Sequence, residues 1–135
     1  MAGLSFDEQM SWRYEIEDRI KDKTDVSIKF VHPPLYYNHE EKGYKSQEEI
    51  KQWEIAQIRN SDIVIVNLDG INDSVGTHFE LGVIDSMNDF GSRHIHALGI
   101  GKLNENIHPW IMETFLRCED DCEKMAEYVV NYLLV

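Results

Sequence analysis

The run Ile63-Val64-Ile65-Val66 is built only of β-branched residues and ends in Asn67-Leu68-Asp69-Gly70. Two heavy atoms on Cβ restrict such side chains in a helix and suit a pleated sheet. Unbroken apolarity predicts a strand from Asp62 to Leu68 buried on both faces, as in parallel sheets covered by helices. The Asn/Asp/Gly cluster after it predicts a loop. Gly76-Thr77-His78-Phe79-Glu80-Leu81-Gly82 then opens a helical pattern. A strand, an acidic glycine loop and a helix in this order constrain the chain to an open α/β sheet. In such sheets ligands bind at the carboxyl ends of the strands.

The rest of the chain alternates in the same way. Ser5 with Glu8 is a capping-box signature for a helix to about Lys21, with Trp12, Ile16 and Ile20 inward. Val26, Ile28 and Phe30 alternate with Ser27 and Lys29, which predicts a strand near an edge, stopped by His32-Pro33-Pro34. A loop with Tyr36, Tyr37, Asn38, His39 and Tyr44 leads to Lys45. Ser46 with Glu49 caps a second helix to about Asn60, whose apolar face is set by Ile50, Trp53 and Ile58. Strands are expected at His94 to Ile100 and Phe115 to Cys118. A closing helix is expected from Asp121 to about Leu133, with Met125, Val129, Tyr132 and Leu133 inward. Residues 1–135 therefore read as one α/β domain, a doubly wound Rossmann-like or flavodoxin-like parallel sheet with helices on both faces. Such folds open on a central strand. Met1-Ala2-Gly3-Leu4 is only a stub of one, so the first strand is expected to be truncated or missing.

Two carboxylates fall where apolar residues are expected. On helical spacing Glu80 shares a face with Val83, Ile84 and Met87, and Glu54 lies four residues from both Ile50 and Ile58. An unpaired carboxylate on such a stripe costs several kcal/mol. For Glu80 the first turn of its helix offsets about 0.3–1 kcal/mol of this through the dipole. Taken alone, Glu80 is a capping or salt-bridged residue, and Glu54 the partner of a Lys or Arg elsewhere. Together, on two helices flanking one strand, they suit acid/base or nucleophilic work at a carbon bearing oxygen, as in glycosyl transfer. Asp69 and Asp73 lie in the loop before Glu80, with Gly70 and Gly76 allowing backbone to approach a ligand.

A net charge of -12 with 13 scattered basic residues argues against a nucleic-acid partner. No apolar run approaches the roughly 18 residues of a membrane span, and no signal-peptide pattern precedes the first helix, so a cytoplasmic protein away from membranes is expected. Cys118 and Cys122 are too few for a zinc site and read as ordinary thiols. No His/Cys/Asp spacing suggests a metal, and no cofactor is called for.

The segment Met1-Ala2-Gly3-Leu4-Ser5 before a helix with Trp12, Ser61-Asp62 opening a strand, Asn67-Leu68-Asp69, and Asp73-Ser74-Val75-Gly76-Thr77-x-x-Glu80-x-Gly82 resemble the nucleoside 2-deoxyribosyltransferase family. The resemblance runs to about residue 100. It implies that Glu80 is the nucleophile that attacks the anomeric carbon of a 2-deoxyribonucleoside to give a glycosyl-enzyme, released by a second base or by water. It implies that Glu54 stands where an acidic residue, more often Asp, lies near the leaving base. Asp73 would hold sugar or base beside these catalytic groups, and Gly3, Ser5, Asp69, Gly76 and Thr77 would contribute to binding the substrate. The chain departs from the pattern in three ways: it starts just after the position of a common first-strand Tyr, the Asp73 to Glu80 loop is one residue longer, and position 54 is Glu.

On this basis Glu80 is expected to be ionised, and Glu54, buried on its stripe, to carry the proton for the leaving base. A neutral nucleoside is favoured over a nucleotide, since the net charge opposes a phosphate and no Arg precedes Arg13. Tyr36, Tyr37 and Tyr44 could stack on a base, and His32 and His78 could line the cleft. Exchange of nucleobases, hydrolysis of the N-glycosidic bond of a nucleoside or nucleotide at the same site, and a non-catalytic module that binds a nucleoside-like ligand or assembles with a partner are the three functional classes left open. The partners implied are a nucleoside, a nucleobase and further copies of the chain, since family sites are completed by a neighbouring subunit. Trp110 and Tyr132-Leu133-Leu134-Val135 are candidate interface residues.

Overall fold

A computed structural model describes residues 5–37, 46–91, 93–103 and 106–134. Its centre is a three-stranded, wholly parallel sheet in the order β1 (Ile63–Asn67), β2 (His96–Ile100), β3 (Arg117–Glu119). β1 pairs with β2 from Ile63 opposite His96 to Asn67 opposite Ile100. β2 pairs with β3 from Leu98 opposite Arg117 to Ile100 opposite Glu119. Around it lie α1 (Phe6–Lys23), α2 (Pro34–Tyr37), α3 (Gln47–Arg59), α4 (Val75–Phe90), α5 (Pro109–Met112) and α6 (Cys122–Tyr128), which runs on into a π-helical turn, Val129–Leu133. The chain is α/β, as expected.

Side chains of a strand alternate between faces, and the two cores follow that alternation. Ile95 and Ala97 turn to one side with Ile58 of α3 and Leu81 and Ile84 of α4. Leu98 and Ile100 turn to the other with Ile16 and Ile20 of α1 and Met125, Ala126 and Val129. Val64 and Val66 join the first core, and Ile63 and Ile65 the second. Helices thus cover both faces of the sheet. β2 crosses the middle, and Gly99 is required there, because a Cβ would lie 2.9 Å from both Cys118 Sγ and Leu68 Cδ2.

Both serines cap their helices as expected. Ser5 Oγ accepts from Glu8 N at 3.2 Å, and Ser46 Oγ accepts from Glu49 N at 3.3 Å. Two expectations are corrected. The segment around Val26 to Phe30 is not a strand, since no ladder joins it to the sheet. Ile28 and Phe30 nevertheless pack onto the α1/α6 core, so the alternation marks a half-buried segment rather than a hydrogen-bonded one. β1 is half-buried along its length rather than fully buried, because among the described residues only β2 pairs with it. Residues 1–4, on which the missing first strand was judged, lie outside the described residues.

Candidate functional site

Beyond β1 the chain turns through Gly70, which adopts the left-handed conformation (φ 74°), into a short 3-10 turn, Ile71–Asp73. Asn67 Oδ1 accepts from Asp69 N at 2.9 Å and tightens this exit. Ser74 then caps α4: its Oγ accepts from Thr77 N at 3.3 Å and lies 2.7 Å from Thr77 Oγ1. These bonds satisfy donors that the first helical turn leaves open and fix where α4 begins. Leu81 and Ile84 anchor the helix on the sheet, which turns Glu80 toward α3.

There Glu80 meets Glu54, and the two side chains hydrogen-bond to each other. Two carboxyl groups can share a hydrogen bond only if one of them holds a proton. Burial, then the hydrogen bond to Glu54, then the charge of Glu54 push the Glu80 carboxyl up to about 8, while the guanidinium of Arg13 pulls the other way. In the resting pair the Glu80 carboxyl is therefore driven toward its neutral form. Ser74, not a residue closer to Glu80, caps the helix, so Glu80 lies in the second turn and the first turn contains no acid. The dipole fades within the first turn and cannot outweigh burial beside a second carboxylate.

The other expected site residues are placed less centrally. Asp73 sits exposed in the 3-10 turn, and Asp69 is exposed at the exit of β1 with its Oδ1 toward Gly101, beyond β2. Neither makes a hydrogen bond or ion pair with the glutamate pair among the described residues. Thr77 is engaged with Ser74, and Ser5 is occupied as a cap, donating to Glu8 Oε1 at 3.0 Å. Gly76 is in the first turn of α4, and a Cβ there would meet nothing within 4 Å, so the space beside it is open. Gly3, Tyr44 and the Tyr37 side chain lie outside the described residues. Tyr36 stacks on Trp53 of α3, ring centroids 4.2 Å apart. His32 is held by Glu17 at 3.0 Å and packs on Phe30, a structural place rather than a lining of the cleft.

Arg13 was not singled out by the sequence. It donates to Gln9 O, lies over the Trp12 ring at 4.6 Å and is close enough to act on Glu80. Nothing in the pattern of α1 separates it from a surface arginine. Among the described residues no group of three or more His, Cys, Asp or Glu could hold a metal ion, and no helix is long and apolar enough to cross a membrane.

The paired carboxyls on α3 and α4, the helices before and after β1, narrow the comparison to known proteins. A family model described as nucleoside 2-deoxyribosyltransferase matches residues 3–89, well over half of the chain, including both glutamates. The chain belongs to the nucleoside 2-deoxyribosyltransferase family. The match runs from the start of the chain through α1, α3 and β1 to the penultimate residue of α4, so it covers every element that carries the site. Among curated proteins none matches the chain. The nucleoside 2-deoxyribosyltransferase family is one of glycosyl-transfer enzymes, which agrees with the expectation from Gly76-Thr77-x-x-Glu80-x-Gly82.

Proposed function

We propose that the chain exchanges the base of a 2-deoxyribonucleoside through a covalent deoxyribosyl-Glu80 intermediate. The observation that carries this is the hydrogen-bonded pair Glu54–Glu80, two carboxyls from separate helices holding one proton between them. A nucleophile and a proton donor are what cleavage of an N-glycosidic bond needs, and a retaining transfer needs them close together.

The resting pair is one proton transfer from the reactive state. With the proton moved along the hydrogen bond to Glu54, Glu80 is the anion. Its oxygen bonds to C1′ of the sugar as the C1′–N bond breaks, and the electron pair leaves with the base nitrogen, which takes the proton of Glu54. In the second half an incoming base attacks C1′ through nitrogen. The ester bond breaks, the electrons return to Glu80 and the proton of the incoming base passes to Glu54. Water in place of that base gives hydrolysis. Asp73, Asp69, Gly76 and Thr77, on the loop and first turn ahead of Glu80, are the groups available to the sugar. The positive field of Arg13 favours the ionised form of Glu80 at the moment of attack.

The test is to incubate the protein with deoxyinosine or thymidine, with and without adenine, and to separate the products by chromatography. The proposal expects a new deoxynucleoside that requires both adenine and Glu80. Free base formed at the same rate with and without adenine would make the protein a hydrolase of the same site. Saturable binding without any product would make it a binding module.

A further inference from the structure

Two histidines stand side by side where β2 begins. Ile95 and Ala97 face the first core, so the alternation of a strand turns His94 and His96 together to the opposite side. Their ring centroids are 4.9 Å apart, with the planes at 63°. The residue between them is clamped by one side chain: Ile95 N donates to Asn88 Oδ1 at 2.7 Å, and Asn88 Nδ2 donates to Ile95 O at 2.9 Å. His96 N donates to Asp62 O at 3.0 Å, which ties the second histidine to the residue before β1. The backbone therefore sets the pair in place.

What the fold leaves open is a ring nitrogen. His32 is bonded to Glu17, and His108 Nδ1 accepts from Trp110 N. His96 Nδ1, by contrast, is buried and has no hydrogen-bond partner among the described residues. Such an atom carries a desolvation cost that a ligand can offset. Burial, then the charge of His94, holds the His96 imidazole below its usual range, against the opposing pull of the Asp62 carboxylate. At neutral pH the ring is then in the neutral form, the one that binds metals.

We propose that His94 and His96 form a two-histidine site for a divalent ion of the zinc, nickel and copper class. Imidazole nitrogen suits these ions, whereas magnesium and calcium take oxygen ligands. The spacing fits as well, since metal–nitrogen bonds of about 2.0–2.1 Å on a tetrahedral centre set two imidazole centroids about 5 Å apart. His94 is exposed, so its ring can turn a nitrogen to the same point and water can fill the remaining positions. Asp62, close enough to act on His96, adds a negative field for the cation, and Arg93, paired with Asp62, offsets part of it. With two protein ligands the site is open. It lies at the amino end of β2, whereas the loop that leads to Glu80 leaves the carboxyl end of β1. A metal here would steady the β1–β2 pairing, and the proposal stands whatever reaction Glu80 performs.

Isothermal titration calorimetry with Zn²⁺ at neutral pH tests it, with thermal melting in Zn²⁺ or in EDTA as a second readout. The wild-type chain is expected to take up one Zn²⁺ at this site and to melt at a higher temperature with it. His94→Ala and His96→Ala are each expected to weaken that binding at least tenfold and to remove the rise in melting temperature, whereas His108→Ala leaves both unchanged. Lowering the pH to about 5 should also weaken binding at least tenfold, because metal and protons compete for the same nitrogens. A wild-type chain that binds no Zn²⁺ would overturn the proposal. Uptake undiminished in His94→Ala would overturn it too, by placing the metal elsewhere, as on the Glu54–Glu80 pair. If His96→Ala fails to fold, His94→Ala, at an exposed position, decides alone.

Discussion

Glu80 of α4 hydrogen-bonds to Glu54 of α3, carboxyl to carboxyl, on the sides of two helices whose apolar residues pack onto the same face of the sheet. The pair holds one proton along that hydrogen bond, and its consequences for both pH and catalysis can be worked out.

Stability should fall as pH rises through the range in which that proton is lost. The Glu80 carboxyl is raised from 4.5 to about 8, so between these values the folded chain binds more protons than the unfolded chain. The slope of unfolding free energy with pH is then negative. The stabilisation is fully present below about pH 4.5 and is lost by about pH 8, on the order of a few kcal/mol in all. Urea denaturation at a series of pH values should show this decline, and Glu80→Gln should flatten it.

Catalysis should share the upper limit. The pair acts with one proton aboard, so kcat/KM should drop about tenfold per pH unit above about pH 8, as the pair, titrating as a unit, loses that proton. A pH–rate profile on a deoxynucleoside checks this.

Glu54→Gln should cost about 10²- to 10⁴-fold in kcat, the usual worth of a positioned acid. The loss should be much smaller for a deoxyriboside whose leaving group needs no proton, such as a nitrophenolate. Equal losses on both substrates would remove Glu54 from the role of acid.

Ser74→Ala should cost about 1 kcal/mol of stability by uncapping α4, and should lower turnover more than folding, since the same turn positions Thr77 and Glu80. Thermal melting and initial rates measured on one preparation separate the two effects.

Gly99→Ala should destabilise by about 1–3 kcal/mol, because the added methyl meets Cys118 Sγ and Leu68 Cδ2 at 2.9 Å within close-packed walls. Chemical denaturation measures it.

Much of this architecture was legible in the sequence because local chemistry and fold agreed. Ser5 and Ser46 cap as their capping boxes predict, and Ile63 to Val66 form a strand in a parallel sheet. Glu54 and Glu80 were legible as a pair because both interrupt apolar stripes at helical spacing. What was not legible depends on distances between elements. The protonation of the pair follows from how closely α3 and α4 approach, which neither helix encodes alone. Val26 to Phe30 alternates like a strand, yet alternation specifies a half-buried face and not a hydrogen-bonding neighbour. Arg13 acts on Glu80 across the gap between α1 and α4.

The central claim is that Glu80 becomes covalently bonded to the sugar. Intact-mass spectrometry of the protein quenched during turnover of a deoxynucleoside, followed by peptide mapping, tests it most directly. The account predicts a deoxyribosyl adduct on the peptide containing Glu80, absent in Glu80→Gln. Base exchange that persists undiminished in Glu80→Gln, or an adduct on another residue, would contradict it.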